Sequence, residues 1–235
     1  MCGKTKILIC VFGFAFFWSL PSLAQGKIDP TLPTAPITFS RTLLLFPGVD
    51  TVKNPDAILP PLTTRQKFWI FKRRTFDISL PVEAAMFGGF SQSINYSPHY
   101  GQGWGPAAER FGSYAGSIAS SSFFTDALLP SLFHQDPRYF RKGRGSILGR
   151  MLYAIESEGV TRSDSGRTTF NSSGLLGFGM STALSNAWYP RDSITFSDTM
   201  TRYGIKLGVS AALNLVREFG GERALGVDRQ VSAGR

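Results

Sequence analysis

The stretch Ser172-Ser173-Gly174-Leu175-Leu176-Gly177-Phe178-Gly179-Met180-Ser181-Thr182-Ala183-Leu184-Ser185-Asn186-Ala187-Trp188 decides the fold class. Leu175, Leu176, Gly179, Met180, Ala183, Leu184, Ala187 and Trp188 recur at i, i+1, i+4 and i+5, the repeat of one continuous helical face. Ser172 or Ser173 can cap its start, and Tyr189-Pro190 closes it. No charged residue lies between Arg167 and Arg191. The serines, threonines and asparagines are nevertheless too many for a segment that crosses a bilayer alone. The reading is a buried central helix.

Working outward, the same period repeats. Thr63 or Thr64 caps a helix reaching about Arg74, and Pro81 and Glu83 suit the first turn of a second that ends near Ile94. Pro106 opens a third that runs to about Leu129, before Pro130. A fourth covers about Ser146 to Ser157, and a sixth runs from a Ser197 cap to Gly220-Gly221. Small residues four apart share a helix face at Gly112 and Gly116, Ala115 and Ala119, Gly145 and Gly149, and Gly204, Gly208 and Ala212. The fold expected for residues 63–221 is therefore all-α, a bundle of about six helices with close packing mediated by Gly and Ala. Sustained alternating segments of the kind a transmembrane β-barrel needs are absent from the sequence.

The flanks read differently. Lys4 and Lys6 precede an uncharged apolar run from Ile7 to Leu20, and Ser22 and Ala24 occupy the small positions before a cleavage point, so residues 1–24 read as a signal peptide. Both cysteines, Cys2 and Cys10, fall inside it, which removes disulfides, thiol catalysis and cysteine-bound metal from the exported chain. Residues 25–62 carry Pro30, Pro33, Pro36, Pro47, Pro55, Pro60 and Pro61 and read as an extended arm, whose run Thr42 to Phe46 docks on the body. Residues 222–235 read as a flexible tail. The expected location is the periplasm or cell envelope, in association with the outer membrane.

The chain has 235 residues, 43% of them hydrophobic and only 17% charged, with a formal net charge of +9. That composition excludes disorder as the main state and fits a protein that meets a membrane or packs its helices unusually closely. The basic residues cluster. Arg65, Lys67, Lys72, Arg73 and Arg74 are interleaved with Phe68, Trp69, Ile70 and Phe71, and Arg138, Arg141, Lys142, Arg144 and Arg150 adjoin Tyr139 and Phe140. Cationic side chains beside aromatic ones suit an anionic lipid surface, with Lys67, Trp69, Phe71, Lys72, Arg73 and Arg74 as the membrane-contact set. Nucleic acid fits the charge but not an exported chain.

Chemistry is sparse. His134 and Asp136, two residues apart, are candidates for a general base with its orienting acid, against the plainer reading of a turn at Asp136-Pro137. Arg138 together with Arg162, Asp164, Arg167 and Asn171 of the polar segment 161–171 forms a candidate ligand-binding set; the same segment could equally cap neighbouring helix ends. Tyr100-Gly101-Gln102-Gly103-Trp104-Gly105 lacks the strand and the Lys-Ser/Thr of a phosphate loop and reads as a turn that carries Trp104 against the core. No cofactor and no metal site is expected.

Three segments carry a resemblance: Leu132-Phe133-His134-Gln135-Asp136-Pro137-Arg138-Tyr139-Phe140-Arg141, Val160-Thr161-Arg162-Ser163-Asp164-Ser165-Gly166 and Leu184-Ser185-Asn186-Ala187-Trp188-Tyr189-Pro190. They resemble the core motifs of a family of uncharacterised secreted bacterial proteins. The resemblance covers well under half the chain and implies no activity. The expected role is an exported, membrane-associated envelope protein that binds or scaffolds. The rival is a periplasmic hydrolase of lipid or cell-wall material that uses His134 and Asp136.

Overall fold

A computed structural model describes residues 51–52 and 59–224, with side chains described as far as Phe219. Residues 1–24, most of the arm over 25–62 and residues 225–235 of the tail lie outside the described residues. The signal peptide and the docking run Thr42 to Phe46 lie there too.

The body is all-α. Its main helices are α1 (Thr64–Phe76), α2 (Ser79–Ser93), α3 (Trp104–Ser122), the short α4 (Leu129–Leu132), α5 (Ile147–Glu156), α6 (Ser172–Ser185) and α7 (Phe196–Ala224). Their starts are set by side-chain caps. Thr63 and Gln66 form a reciprocal capping box on α1, Ser146 Oγ accepts from Gly149 N on α5, and Asn171 Oδ1 accepts from Gly174 N on α6. Helix α3 does not stop before Pro130. A π-helical stretch, Phe123–Leu128, joins α3 to α4; its wider turn, closed by Leu129 N donating to Phe124 O, carries the chain past the proline. At the other end α7 continues through Gly220 and Gly221 to Ala224.

Short strands tie the loops together. β1 (Thr51–Val52) pairs in parallel with β3 (Tyr139–Phe140), so this piece of the arm is extended as its prolines require. β2 (Gln135–Asp136), β4 (Val160–Ser163) and β5 (Thr168–Phe170) form an antiparallel sheet in the order β2-β4-β5. The polar segment 161–171 is therefore mostly a hairpin rather than a plain connector. Gln135 links it to α6 by donating to Phe170 O at 2.6 Å and accepting from Ser173 N at 2.9 Å.

The helices fit where side chains are missing, but not at the glycines singled out by four-residue spacing. Gly112, Gly204 and Gly208 face open space, Gly145 sits at φ +99° outside any helix, and only Gly116 touches another segment, the Trp188 ring. Close approach happens instead at Gly88, whose missing Cβ would lie 3.3 Å from Phe111 N, and at Gly177, pressed on the π-helical backbone at Phe124 and Thr125. Ala84, Ala127 and Ala154 are fully buried.

The radial order of polarity is the reverse of the sequence expectation. On α6 the apolar stripe faces out: Leu176, Met180 and Leu184 are exposed, while Ser173, Gly177, Ser181, Thr182 and Ser185 are buried. The helix expected to bury that stripe buries its hydroxyls. Helix α5 does likewise, with Ile147 71% and Leu148 66% exposed and Arg150 buried. Trp104, expected against the core, is 93% exposed. Among the largest fully buried side chains are Arg110, Lys67 and Glu218. No helix among the described residues is long and apolar enough to cross a membrane.

The two kinds of glycine make opposite predictions. Gly177→Ala forces a methyl group into the α6 contact with the π-helical backbone and is expected to cost about 1–3 kcal/mol. Gly112→Ala adds a methyl in open space inside a helix and is expected to stabilise by about 0.5–1 kcal/mol. Chemical denaturation of both variants checks the pair; equal effects would contradict the packing described.

Candidate functional site

The bundle holds a half-open cavity of about 740 Å³. One wall is α7, which presents Arg202, Lys206, Ser210, Asn214 and Arg217 to it. The first four are spaced by four residues, so they share one helix face. Facing surfaces supply Phe87 and Phe90 from α2, Ile118 from α3 and Phe178 from α6, together with the hydroxyls of Ser121 and Thr125. Helix α7 also contributes Ile205, Val209 and Leu213, and Glu83, Asp126, Asp136, Glu156 and Glu158 line the cavity as well, so cationic, acidic, hydroxyl and apolar groups are mixed along it.

Several of the charges buried around it are held in pairs, while Arg202 donates to the Ser193 carbonyl at 2.8 Å and to Asn186 Oδ1. Arg74 Nη1 donates to both Asp126 oxygens at 2.8 Å, which locks α1 to the π-helical stretch. Asp136 accepts from the Arg138 backbone N at 3.0 Å and from its guanidinium at 2.6–3.0 Å. Arg162 lies over the Phe140 ring at 4.2 Å. Glu158, capped by Asn214 Nδ2 at 2.7 Å, has its carboxyl pushed up to about 6 by burial, against the hydrogen bond with Ser210 and the charge of Arg217.

Lys206 differs from these. Among the described residues no carboxylate meets it; its Nζ donates to Ser181 Oγ at 2.6 Å and Ser121 Oγ at 3.0 Å, and those two oxygens lie 2.9 Å apart. Burial pulls its ammonium down from 10.5 to about 7, and Arg202 one turn away adds to the shift. A cation taken from water without a counter-charge gives up its proton rather than stay charged. Three helices build the cluster, with Ser121 on α3, Ser181 on α6 and Lys206 on α7.

Of the candidate ligand set, Arg138, Arg162 and Asn171 line the cavity, the last while capping α6. Asp164 and Arg167 do not. Asp164 receives Lys67 Nζ at 2.8 Å on each oxygen, and the Arg167 carbonyl closes the β4–β5 turn by accepting from Ser163 N. His134 and Asp136 form no dyad. The His134 side chain is 84% exposed at φ +52°, with Nδ1 3.9 Å from Asp164, whereas Asp136 is buried against Arg138. Backbone pairing explains the separation: Asp136 is held in β2, and His134 sits at the bend before it.

The membrane-contact set divides along the helical period. Trp69 and Lys72 are exposed and Arg73 stacks on Trp69 at 5.4 Å. Lys67 is buried, Arg74 pairs with Asp126, and Phe71 packs on Phe123 at 5.4 Å between ring centres. In the second basic stretch Arg150 is buried and donates to Glu218 Oε1 at 2.9 Å. Among the described residues no cluster of His, Cys, Asp and Glu could hold a metal ion.

The residues missed from sequence are those on the inner face of α7. The spacing 202, 206, 210, 214 was available, but a polar stripe reads as the solvated side of an amphipathic helix unless the bundle is known to be inverted.

The Lys206 shift carries a stability signature. Between pH 7 and 10.5 the unfolded chain holds a proton on this amine that the folded chain does not, so stability rises with pH across that window; below 7 both states are protonated and the full cost of burial remains. The stability difference between wild type and Lys206→Met is expected to change by up to about 1.4 kcal/mol per pH unit from pH 7.5 to 9.5, in favour of wild type at higher pH. Urea titrations at three pH values measure it, and a pH-independent difference would show that Lys206 stays charged. No family model, curated protein or solved structure matches the chain.

Proposed function

We propose that this chain is an exported, membrane-associated envelope protein that binds an anionic amphiphile in the cavity of its helical body. One observation carries the proposal: a half-open space of about 740 Å³ in which Arg202, Lys206 and Arg217 of α7 lie among the apolar side chains Ile205, Val209 and Leu213 of the same helix and Phe87, Ile118 and Phe178 of the helices facing it. A molecule with an anionic head and a hydrocarbon tail matches the cations and the apolar lining at once, whereas a purely apolar ligand leaves the cations unmatched. Arg162 and Arg217, both close enough to act electrostatically on the Tyr139–Tyr153 pair, mark the end where the anionic group belongs.

The outer surface supports the membrane half of the reading. Apolar side chains stand exposed on α2 at Met86, on α5 at Ile147, Leu148 and Leu152, and on α6 at Leu176, Met180 and Leu184. Apolar area on that scale gains free energy when it leaves water. Trp69, Lys72 and Arg73 add the cationic and aromatic contacts suited to an anionic headgroup layer.

Displacement of a dansyl-labelled fatty acid by unlabelled palmitate tests the cavity. Wild type is expected to bind the probe, and Arg162→Gln to weaken binding about tenfold, the loss of one charge-assisted contact. Co-sedimentation with phosphatidylglycerol vesicles tests the surface. Protein that stays in the supernatant at low salt, and shows no displaceable probe, would remove the proposal.

A further inference from the structure

We propose that Ser121 and Lys206 form a nucleophile–base pair that cleaves a carboxylic ester of an acyl chain held in the cavity, with Ser181 positioning the lysine. The inference rests on the cavity reading above and adds chemistry to it. Ser121 and Lys206 both line the cavity, and their Oγ and Nζ atoms are 3.0 Å apart, within the reach proton transfer needs. Ser181 is fully buried and meets the same Nζ at 2.6 Å, so it orients the amine without access to a ligand. Burial leaves the amine largely able to act as a base near neutral pH, which an ordinary solvated lysine cannot do.

In the resting arrangement each hydroxyl donates within its own helix, Ser121 to Ser117 O at 2.7 Å and Ser181 to Phe178 O at 3.2 Å. Turning the Ser121 hydroxyl hydrogen toward neutral Nζ is a rotation about one bond, because the two heavy atoms are already in contact. Nζ then takes the proton while Oγ forms a bond to the ester carbonyl carbon. Collapse of the tetrahedral species breaks the acyl–oxygen bond, and the departing alkoxide takes the proton from the Lys206 ammonium. Water completes the cycle: its oxygen bonds the acyl carbon, Lys206 takes one of its protons, and Ser121 Oγ leaves and recovers a proton from Lys206. Ester and water become acid and alcohol. Backbone N–H groups around Ser121 are used by the helix, so the ammonium formed at Lys206 is the positive charge placed to face the oxyanion. This assigns hydrolysis to residues other than His134 and Asp136.

The experiment uses the purified full chain with p-nitrophenyl acetate and p-nitrophenyl octanoate, following p-nitrophenol release and intact mass. The short ester needs no tail binding, so it reports on the pair independently of the cavity's preference for amphiphiles. Expected results are an acyl adduct mapped to Ser121, its loss in Ser121→Ala and Lys206→Arg with release lowered at least 100-fold, and a smaller loss in Ser181→Ala. Ser121→Ala is expected to keep the wild-type far-ultraviolet circular dichroism spectrum and unfolding transition, which shows that it folds. An adduct on any other residue, release unchanged in Ser121→Ala, or no adduct from either ester overturns the pair whether or not the fatty acid binds. Failure of the fatty acid to bind while Ser121 is acylated by the short ester supports the pair and removes the amphiphile reading instead.

Discussion

Glu218 has no solvent exposure, and the lower half of the bundle is built around its carboxylate. It accepts from the Tyr139 hydroxyl at 3.0 Å, the Lys142 and Gly143 backbone amides at 2.9 Å each and Arg150 Nε at 2.9 Å. Burial pushes such a carboxyl up, but the donors from Gly143, Arg150, Lys142 and Tyr139 outweigh it and hold Glu218 below the usual carboxylate range. Its own carbonyl receives Arg141 Nε at 2.8 Å and Arg150 Nη2 at 2.7 Å. One residue of α7 thereby fixes β3, the turn after it and α5. Removing one partner of a buried pair costs about 3–5 kcal/mol, more than the pair contributes when complete, because the remaining charge is stranded. The constraint is geometric specificity rather than bulk stabilisation.

The same device recurs on the other side of the body. Lys67 ties α1 to the Pro130 carbonyl at 3.0 Å and to Asp164 in the hairpin, and Arg74 ties α1 to Asp126. Arg110 gathers the loop after α2, donating to Ser91 Oγ at 2.7 Å, to Ser97 O at 3.1 Å and to the Tyr96 carbonyl. That loop visits positive φ at Asn95 and Ser97, a conformation the guanidinium contacts help to hold. With polar contacts spent on the interior, the outward faces of α5 and α6 are left apolar. Exposed apolar area on those faces gains free energy when it is covered.

Helix positions were legible in the sequence because their signals are local. Thr63 and Ser146 announce starts through the chemistry of unsatisfied amides, which does not depend on what the helix packs against, whereas α6 is capped by Asn171 and not by Ser172 or Ser173, which lie inside its first turn. Helix faces were not legible. The period of Leu176, Met180 and Leu184 says that they share a side, but assigning that side to the interior assumes water outside, and in this bundle Ser181 and Ser185 point inward instead. The small-residue spacings failed for a related reason. Gly204 and Gly208 lie on one face, yet contact is decided by the neighbour's approach, and it is Gly88 and Gly177 that meet another backbone. His134 and Asp136 misled because two residues of separation in sequence became opposite environments once Asp136 entered a strand.

The inversion also explains why chemistry could hide in α7. In an ordinary amphipathic helix Arg202, Lys206, Ser210 and Asn214 would be a solvated face, and an amine in water remains charged and inert as a base. Turned inward, the same four residues meet the cavity, and Lys206 finds two hydroxyls and, among the described residues, no carboxylate. A cluster chosen for stability alone would place a counter-ion there, as the bundle does for Lys67, Arg74 and Arg150. The absence of a carboxylate partner at Lys206 carries a folding cost at neutral pH. Arg110 and Arg202 are buried too and donate to carbonyl, hydroxyl and amide oxygens, but a guanidinium keeps its proton. Lys206 is the amine among them, able to give its proton up, and its two serine hydroxyls beside the cavity single out the Ser121–Ser181–Lys206 cluster.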